Sequence, residues 1–79
     1  MNEIDFAKII EEIAEVLKNN GIDTDTFALN VHLSTEEFDR VVSASQQPIQ
    51  GYEPPIRRAY VRHNNSVFHM LGGFRKNID

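Results

Sequence analysis

Two segments of alternating polarity, joined by Asn64-Asn65, constrain the fold of this chain more than any other feature. Residues 57–63 and 66–72 alternate between apolar and polar side chains, as half-buried β-strands do. Asparagine tolerates the positive φ angles that a two-residue hairpin turn requires. The pattern therefore predicts a β-hairpin over residues 57–72.

The alternation also predicts how the two strands of the hairpin pair. A two-residue turn places His63 opposite Ser66 and Tyr60 opposite His69. One face of the hairpin then carries the apolar residues Ala59, Val61, Phe68 and Met70 and is the expected core face. The other face is mixed and carries Arg58, Tyr60, Arg62, Val67, His69 and Leu71. A slip by one residue would mix the two sets, because it moves side chains to the opposite face.

This register bears on metal binding, because it places His63 and His69 on opposite sides of the hairpin. Two histidines placed in this way cannot bind one metal ion together. The chain has no cysteine, and its third histidine, His32, stands in no metal-ligand spacing with the other two. We therefore expect no metal site and no cofactor.

The N-terminal part of the chain predicts an amphipathic helix over residues 5–20. Apolar residues recur there with helical spacing: Phe6, Ile9, Ile10, Ile13, Val16 and Leu17. Gly21 follows as the expected left-handed residue that ends the helix. With Ala7 and Ala14 added, the apolar side is wider than the minimum stripe of about 100°. The surplus predicts contact with a second helix or with a second copy of the chain.

The next segment predicts a strand, a second helix and a linker. Residues 26–33 alternate in polarity, which favours a half-buried strand. Ser34 and Glu37 form a capping box that begins a helix over residues 35–45, and Leu33 with Phe38 forms the accompanying hydrophobic staple. Residues 46–55 contain all three prolines and a glycine, so they predict an irregular linker.

The predicted fold is a small single α+β domain with its elements in the order α-β-α-β-β. We expect a three-stranded sheet with two helices packed on one face and a C-terminal β-hairpin, followed by a tail over residues 73–79. The predicted core consists of Phe27, Leu29, Val31, Val61, Phe68 and Met70 against Ile9, Ile13, Leu17, Phe38 and Val42. The direction in which the first strand pairs is left open.

The charge of this 79-residue chain is −4 in total, but it is unevenly distributed. Residues 1–39 contain ten acidic residues and two lysines, whereas residues 40–79 contain six basic residues and two acidic ones. Such asymmetry predicts either an anion-binding end or two halves that neutralise each other in the fold. No apolar segment has the length of a transmembrane helix or a signal-peptide core, so we expect a cytoplasmic protein with no membrane partner.

Nothing in the sequence predicts catalysis. Gly72-Gly73 lacks the following helix and the lysine of a phosphate-binding loop, and no serine stands in a nucleophile-elbow motif. Tyr60 opposite His69 is typical of ordinary cross-strand packing. We therefore expect that the chain is not an enzyme.

The functional hypothesis is a protein-interaction or regulatory module, inhibitor-like or adaptor-like, that binds a larger macromolecule. The expected contact residues are Arg58, Tyr60, Arg62, His69 and Leu71, a set rich in arginine and aromatic rings as interface hot spots are. The alternative is a nucleic-acid-binding module that uses the same basic face, with arginines on phosphates and rings on bases. A homodimer through the first helix or through an uncovered sheet edge is a further expectation.

Overall fold

The computed structural model describes residues 3–53 and 56–73. Two helices and three strands follow in the order α1 (Phe6–Asn19), β1 (Ala28–His32), α2 (Thr35–Ala44), β2 (Arg58–His63) and β3 (Ser66–Leu71). This order confirms the predicted α+β architecture, and the ends of the elements differ from the predicted ones by no more than two residues. The predicted tail lies, after Gly73, outside the described residues. No helix in these two ranges is long and apolar enough to cross a membrane.

The three strands form one sheet in the order β1-β3-β2. β2 and β3 are antiparallel, and every predicted pair of the hairpin is present, from His63 opposite Ser66 to Ala59 opposite Met70. The turn residues have φ angles of 50° and 68°, the left-handed conformation that the predicted two-residue turn requires. β1 pairs with β3 in parallel, so the hairpin inserts its second strand between β1 and β2.

Both helices pack on one face of the sheet, where the core lies. Ala59, Val61 and Met70 of the hairpin are fully buried there. Phe38 of α2 is fully buried in the same cluster, as predicted, and Val41 joins it one turn later. The hairpin and α2 therefore supply the side chains that are fully buried in the described part of the chain.

The contribution of α1 to the core differs from the predicted one. Its buried residues are Phe6 and Ile10, which are 3% and 2% exposed, whereas the predicted Ile13 and Leu17 are only half-buried. Helical periodicity predicts which side of α1 is apolar, but the place where α1 crosses the sheet decides which of those side chains reach the core. The wide apolar side of α1 is therefore used mainly at its N-terminal end.

The local signals for the helix ends are confirmed. The hydroxyl of Ser34 accepts a hydrogen bond from the amide of Glu37 (3.2 Å), as the capping box predicts. Gly21 has a φ angle of 90°, and the amide of Ile22 donates to the carbonyl of Leu17 (2.8 Å). This arrangement ends α1 with the left-handed glycine that the sequence predicts.

The linker is bound to both the helices and the sheet, which its sequence does not predict. The side chain of Gln47 accepts a hydrogen bond from the amide of Phe6 (2.7 Å) and donates one to the carboxylate of Asp5 (2.9 Å). Asp5 in turn caps α1 by accepting a bond from the amide of Lys8 (3.2 Å). Three residues after Gln47, Gln50 pairs with Tyr60 on the outer edge of β2. The linker thus joins the start of α1 to the edge of the sheet.

Candidate functional site

The helices leave the opposite face of the sheet uncovered. The pairing of the strands places nine side chains on that face in three rows across β1, β3 and β2: Ala28, Val67 and Arg62; Asn30, His69 and Tyr60; His32, Leu71 and Arg58. We call these nine residues the open face. It contains all five residues that the sequence predicts for partner binding, and their role in binding stays a prediction.

The middle row of the open face holds a pair of rings. The ring centroids of Tyr60 and His69 lie 5.4 Å apart with an interplanar angle of 41°. The guanidinium carbon of Arg62 lies 5.8 Å from the centroid of the Tyr60 ring, within the range of a cation–π contact. Tyr60 and His69 are half-buried, whereas Arg62 is exposed. The row therefore presents two rings with a cation beside them.

The linker fixes the position of Tyr60. Gln50 and Tyr60 exchange two backbone hydrogen bonds, each 2.9 Å long. The next residue, Gly51, has a φ angle of 70° and lies against the ring, where a Cβ atom would come within 2.8 Å of the Tyr60 Cε1 atom. Glycine satisfies both constraints at once, since it has no Cβ and adopts positive φ angles readily. The backbone of Tyr60 is thus fixed by Gln50, and one side of its ring lies against Gly51.

The open face carries positive charge without a carboxylate among its nine residues. On the other surfaces that the structure describes, three basic side chains form ion pairs: Arg57 with Asp39 (3.2 Å), Lys18 with Asp25, and Arg40 with Glu37. The carboxylate of Asp39 raises the pKa of Arg57 through a side-chain hydrogen bond. Within the part of the chain that the structure describes, no salt bridge engages Arg58 or Arg62. Both side chains are exposed, so the charge faces the solvent.

The two histidines of the hairpin lie on opposite sides of the sheet, as predicted. His69 contacts Tyr60 on the open face, whereas the Nε2 atom of His63 lies 3.0 Å from the carboxylate of Glu11 on the helix side. Across residues 3–53 and 56–73, no three His, Asp or Glu side chains gather in an arrangement that could hold a metal ion. The chemistry of the open face is therefore that of cation, ring and apolar contacts.

Sequence reasoning missed two residues that support the open face, and it missed the position of Asn30 on the face itself. Gly51 and Gln50 fall in the linker, where glycine and proline predict only an irregular path. Asn30 was part of the predicted strand, but its place beside His69 depends on the parallel pairing of β1 with β3. No local signal distinguishes parallel from antiparallel pairing for a single short strand, so the neighbours of the β1 residues on the hairpin could not be predicted.

No family model, curated protein sequence or solved structure matches this chain. The geometry of the open face is therefore the basis for a functional proposal.

Proposed function

We propose that this chain is a small non-enzymatic interaction module that binds an acidic surface of a larger protein through its open face. The observation that carries the proposal is the arginine on each outer row, Arg58 and Arg62, on either side of the Tyr60–His69 rings. Neither arginine forms a salt bridge with any residue in the ranges 3–53 and 56–73. Arginine and tyrosine are the residues that contribute most to protein–protein binding when a partner removes water from them. An inhibitor or an adaptor acts through such a surface.

The preformed geometry of the face supports this proposal. Binding costs free energy when mobile side chains become ordered, by about 0.5–1.5 kcal/mol for each long side chain. The ring of Tyr60 is already held by Gly51 and by His69 before any partner arrives. Leu71 is half-buried in the next row and adds apolar area beside Arg58. A ring held in place, beside two exposed cations and an apolar side chain, suits an acidic partner with an apolar centre.

The uneven charge of the chain also supports an acidic partner. The total charge of −4 would slow the approach of a negatively charged molecule, but local potential rather than total charge orients a close encounter. Ten of the twelve acidic residues precede Arg40 in sequence, while both arginines of the open face come after it. An acidic surface would therefore be attracted to the open face and repelled by α1.

A capture experiment with charge-reversed variants tests this proposal. The immobilised chain is exposed to nuclease-treated lysate of the cells that encode it, and wild type is compared with Arg58→Glu/Arg62→Glu. The matched control is Lys8→Glu/Arg40→Glu, which changes the total charge equally at exposed positions on the helices. We expect one stoichiometric protein on the wild type and the control that is lost from the open-face variant. Equal capture by all three forms would contradict the proposal.

The second candidate is binding of single-stranded nucleic acid, which the Tyr60–His69 ring pair specifically favours. Bases stack on aromatic side chains, and each stacked base contributes about 1–3 kcal/mol. The arginines would then contact phosphates, so affinity would fall steeply with salt. The same capture without nuclease separates the two candidates. If nuclease removes everything bound to the wild type, and Tyr60→Ala binds no oligonucleotide, the partner is nucleic acid.

A further inference from the structure

We propose that two copies of this chain associate through the outer edge of β1 and form one continuous six-stranded sheet. Within the described ranges, β1 pairs only with β3, and no strand pairs with its other edge. The opposite edge of the sheet differs, because Gln50 is hydrogen-bonded to β2 there. Among the described residues, the edge left for strand pairing therefore belongs to β1.

The backbone of β1 is suited to pairing with itself. The carbonyl of Phe27 and the amide of Leu33 bond to β3 at 2.9 and 2.8 Å, which fixes the direction of the groups between them. Because backbone groups alternate in direction along a strand, those of Leu29 and Val31 point towards β3 and those of Asn30 point outwards. Asn30 is the central residue of the strand. An antiparallel pair of β1 strands centred on Asn30 therefore exchanges two hydrogen bonds between the Asn30 residues.

The side chains of β1 do not oppose this pairing. Sheet edges are commonly protected by lysine, proline or inward-pointing charge, and Ala28–His32 contains no lysine, arginine, proline or carboxylate. Two chains that each carry a charge of −4 can therefore meet along this edge without like charges at the junction. The edge therefore suits a second copy of the chain, because no lysine, arginine or carboxylate of one β1 strand would face a like charge on the other.

An apolar groove beside β1 provides a second contact. α1 lies over β3 and β2 rather than over β1, which leaves a groove of about 150 Å³ on the helix side. Only apolar residues line it: Ile4, Phe6, Ile9, Val31, Leu33, Val41, Phe68 and Met70. Pairing centred on Asn30 places Leu29 of one copy opposite Val31 of the other, at the rim of this groove. The half-buried side chains of β1 would then be covered on the helix side.

The size of the junction limits the strength of the dimer. A standard stable interface buries about 800 Å² on each partner, and two five-residue strands beside a small groove offer less. We therefore expect association at high micromolar concentrations. The dimer would join two open faces into one surface with a Tyr60–His69 pair from each copy. The use of that joint surface for binding rests on the proposed function, whereas the dimer itself does not.

Substitutions at Asn30 test the dimer without a binding partner. Asn30→Pro removes an outward amide and leaves the bonds between β1 and β3, because proline is tolerated where the amide of an edge strand faces outwards. Sedimentation velocity from micromolar to millimolar concentration should show dimers for the wild type and for the control Ser43→Lys on α2. It should show monomers for Asn30→Pro with an unchanged circular dichroism spectrum.

A charge-pair experiment keeps the proposal testable if Asn30→Pro unfolds the strand. Asn30→Lys and Asn30→Asp should each be monomeric, because like charges face each other across the two-fold axis, and an equimolar mixture should form the dimer again. Two results would overturn the proposal. One is a wild type that stays monomeric at millimolar concentration, and the other is a dimer that persists in both charged variants.

Discussion

Gln50 of the linker and Tyr60 of β2 exchange two backbone hydrogen bonds of 2.9 Å, which fixes a segment without regular structure to the edge of the sheet. Gly51 follows and lies against the ring of Tyr60. The ring in turn contacts His69 in the middle of the open face. The position of the candidate binding residues therefore depends on a part of the chain that makes no regular strand.

Replacing Gly51 with alanine should disturb the open face. The new Cβ atom would come within 2.8 Å of the Tyr60 ring, and the φ angle of 70° is unfavourable for alanine. We expect a loss in the free energy of unfolding of about 2 kcal/mol, measured by urea denaturation, of which roughly half is due to the φ angle.

The matched control for this variant is Gly21→Ala at the end of α1. Gly21 has a similar φ angle of 90°, but no atom lies within 4 Å of the position of its Cβ. The variant Gly21→Ala should therefore lose about 1 kcal/mol in the free energy of unfolding, which is the part due to the φ angle. Equal losses in the two variants would show that Gly51 does not contact the Tyr60 ring in solution.

Replacing Gln47 with alanine should weaken the attachment of the linker to α1. Its side chain bonds to both the amide of Phe6 and the carboxylate of Asp5. Losing these two part-buried bonds should lower the free energy of unfolding by about 1–2 kcal/mol, measured by urea denaturation. Gln46→Ala is the control, because the amide of Gln46 keeps its bond to the carbonyl of Ile4 (2.8 Å). A loss of the same size in the control would contradict this role of Gln47.

The pKa of Asp5 predicts part of the acid sensitivity of the fold. The hydrogen bond from the Lys8 amide, followed by the one from Gln47, lowers the pKa of Asp5 below its ordinary value of 3.8. A carboxylate with a lowered pKa stabilises the folded chain above its ordinary pKa, and this contribution is lost as the pH falls through the folded-state value.

The variant Asp5→Asn isolates that contribution, since asparagine also caps helices but carries no charge. Thermal unfolding between neutral pH and about pH 2 should show a smaller fall in the melting temperature for Asp5→Asn than for the wild type. The two proteins should therefore converge in stability at the acid end. If the melting temperatures of the two proteins fell equally with pH across this range, the charge of Asp5 would not contribute to the stability of the fold.

The sequence predicts the parts of the fold that local chemistry determines. The Asn64-Asn65 turn and the alternation on both sides of it were enough for the whole register of the hairpin, because a slip by one residue would expose its apolar face. Gly21 marks the end of α1 because it adopts a positive φ angle, and Ser34 marks the start of α2 because its hydroxyl caps the helix. Every predicted contact residue therefore lies on the face where the register placed it.

The contacts that could not be predicted are those between segments distant in sequence. The bonds of Gln47 span 41 and 42 residues, and nothing near Gln47 indicates them. The burial of Phe6 and Ile10 in preference to Ile13 and Leu17 depends on where α1 crosses the sheet, which helical periodicity leaves open. The place of β1 beside β3 likewise depends on the path of the chain through α2 and the linker.

Site-specific photo-cross-linking tests most directly whether the open face is the binding surface, because it needs no knowledge of the partner. A photoreactive amino acid replaces either Arg62 or Leu71 on the open face. In the control variants it replaces Val16 or Ile22 on the helix side, which are 57% and 52% exposed. Each variant is irradiated in nuclease-treated lysate. The expected result is one protein adduct from positions 62 and 71 and none from positions 16 and 22. An adduct formed only from positions 16 and 22 would contradict it and place the binding surface on α1 and the turn that follows it.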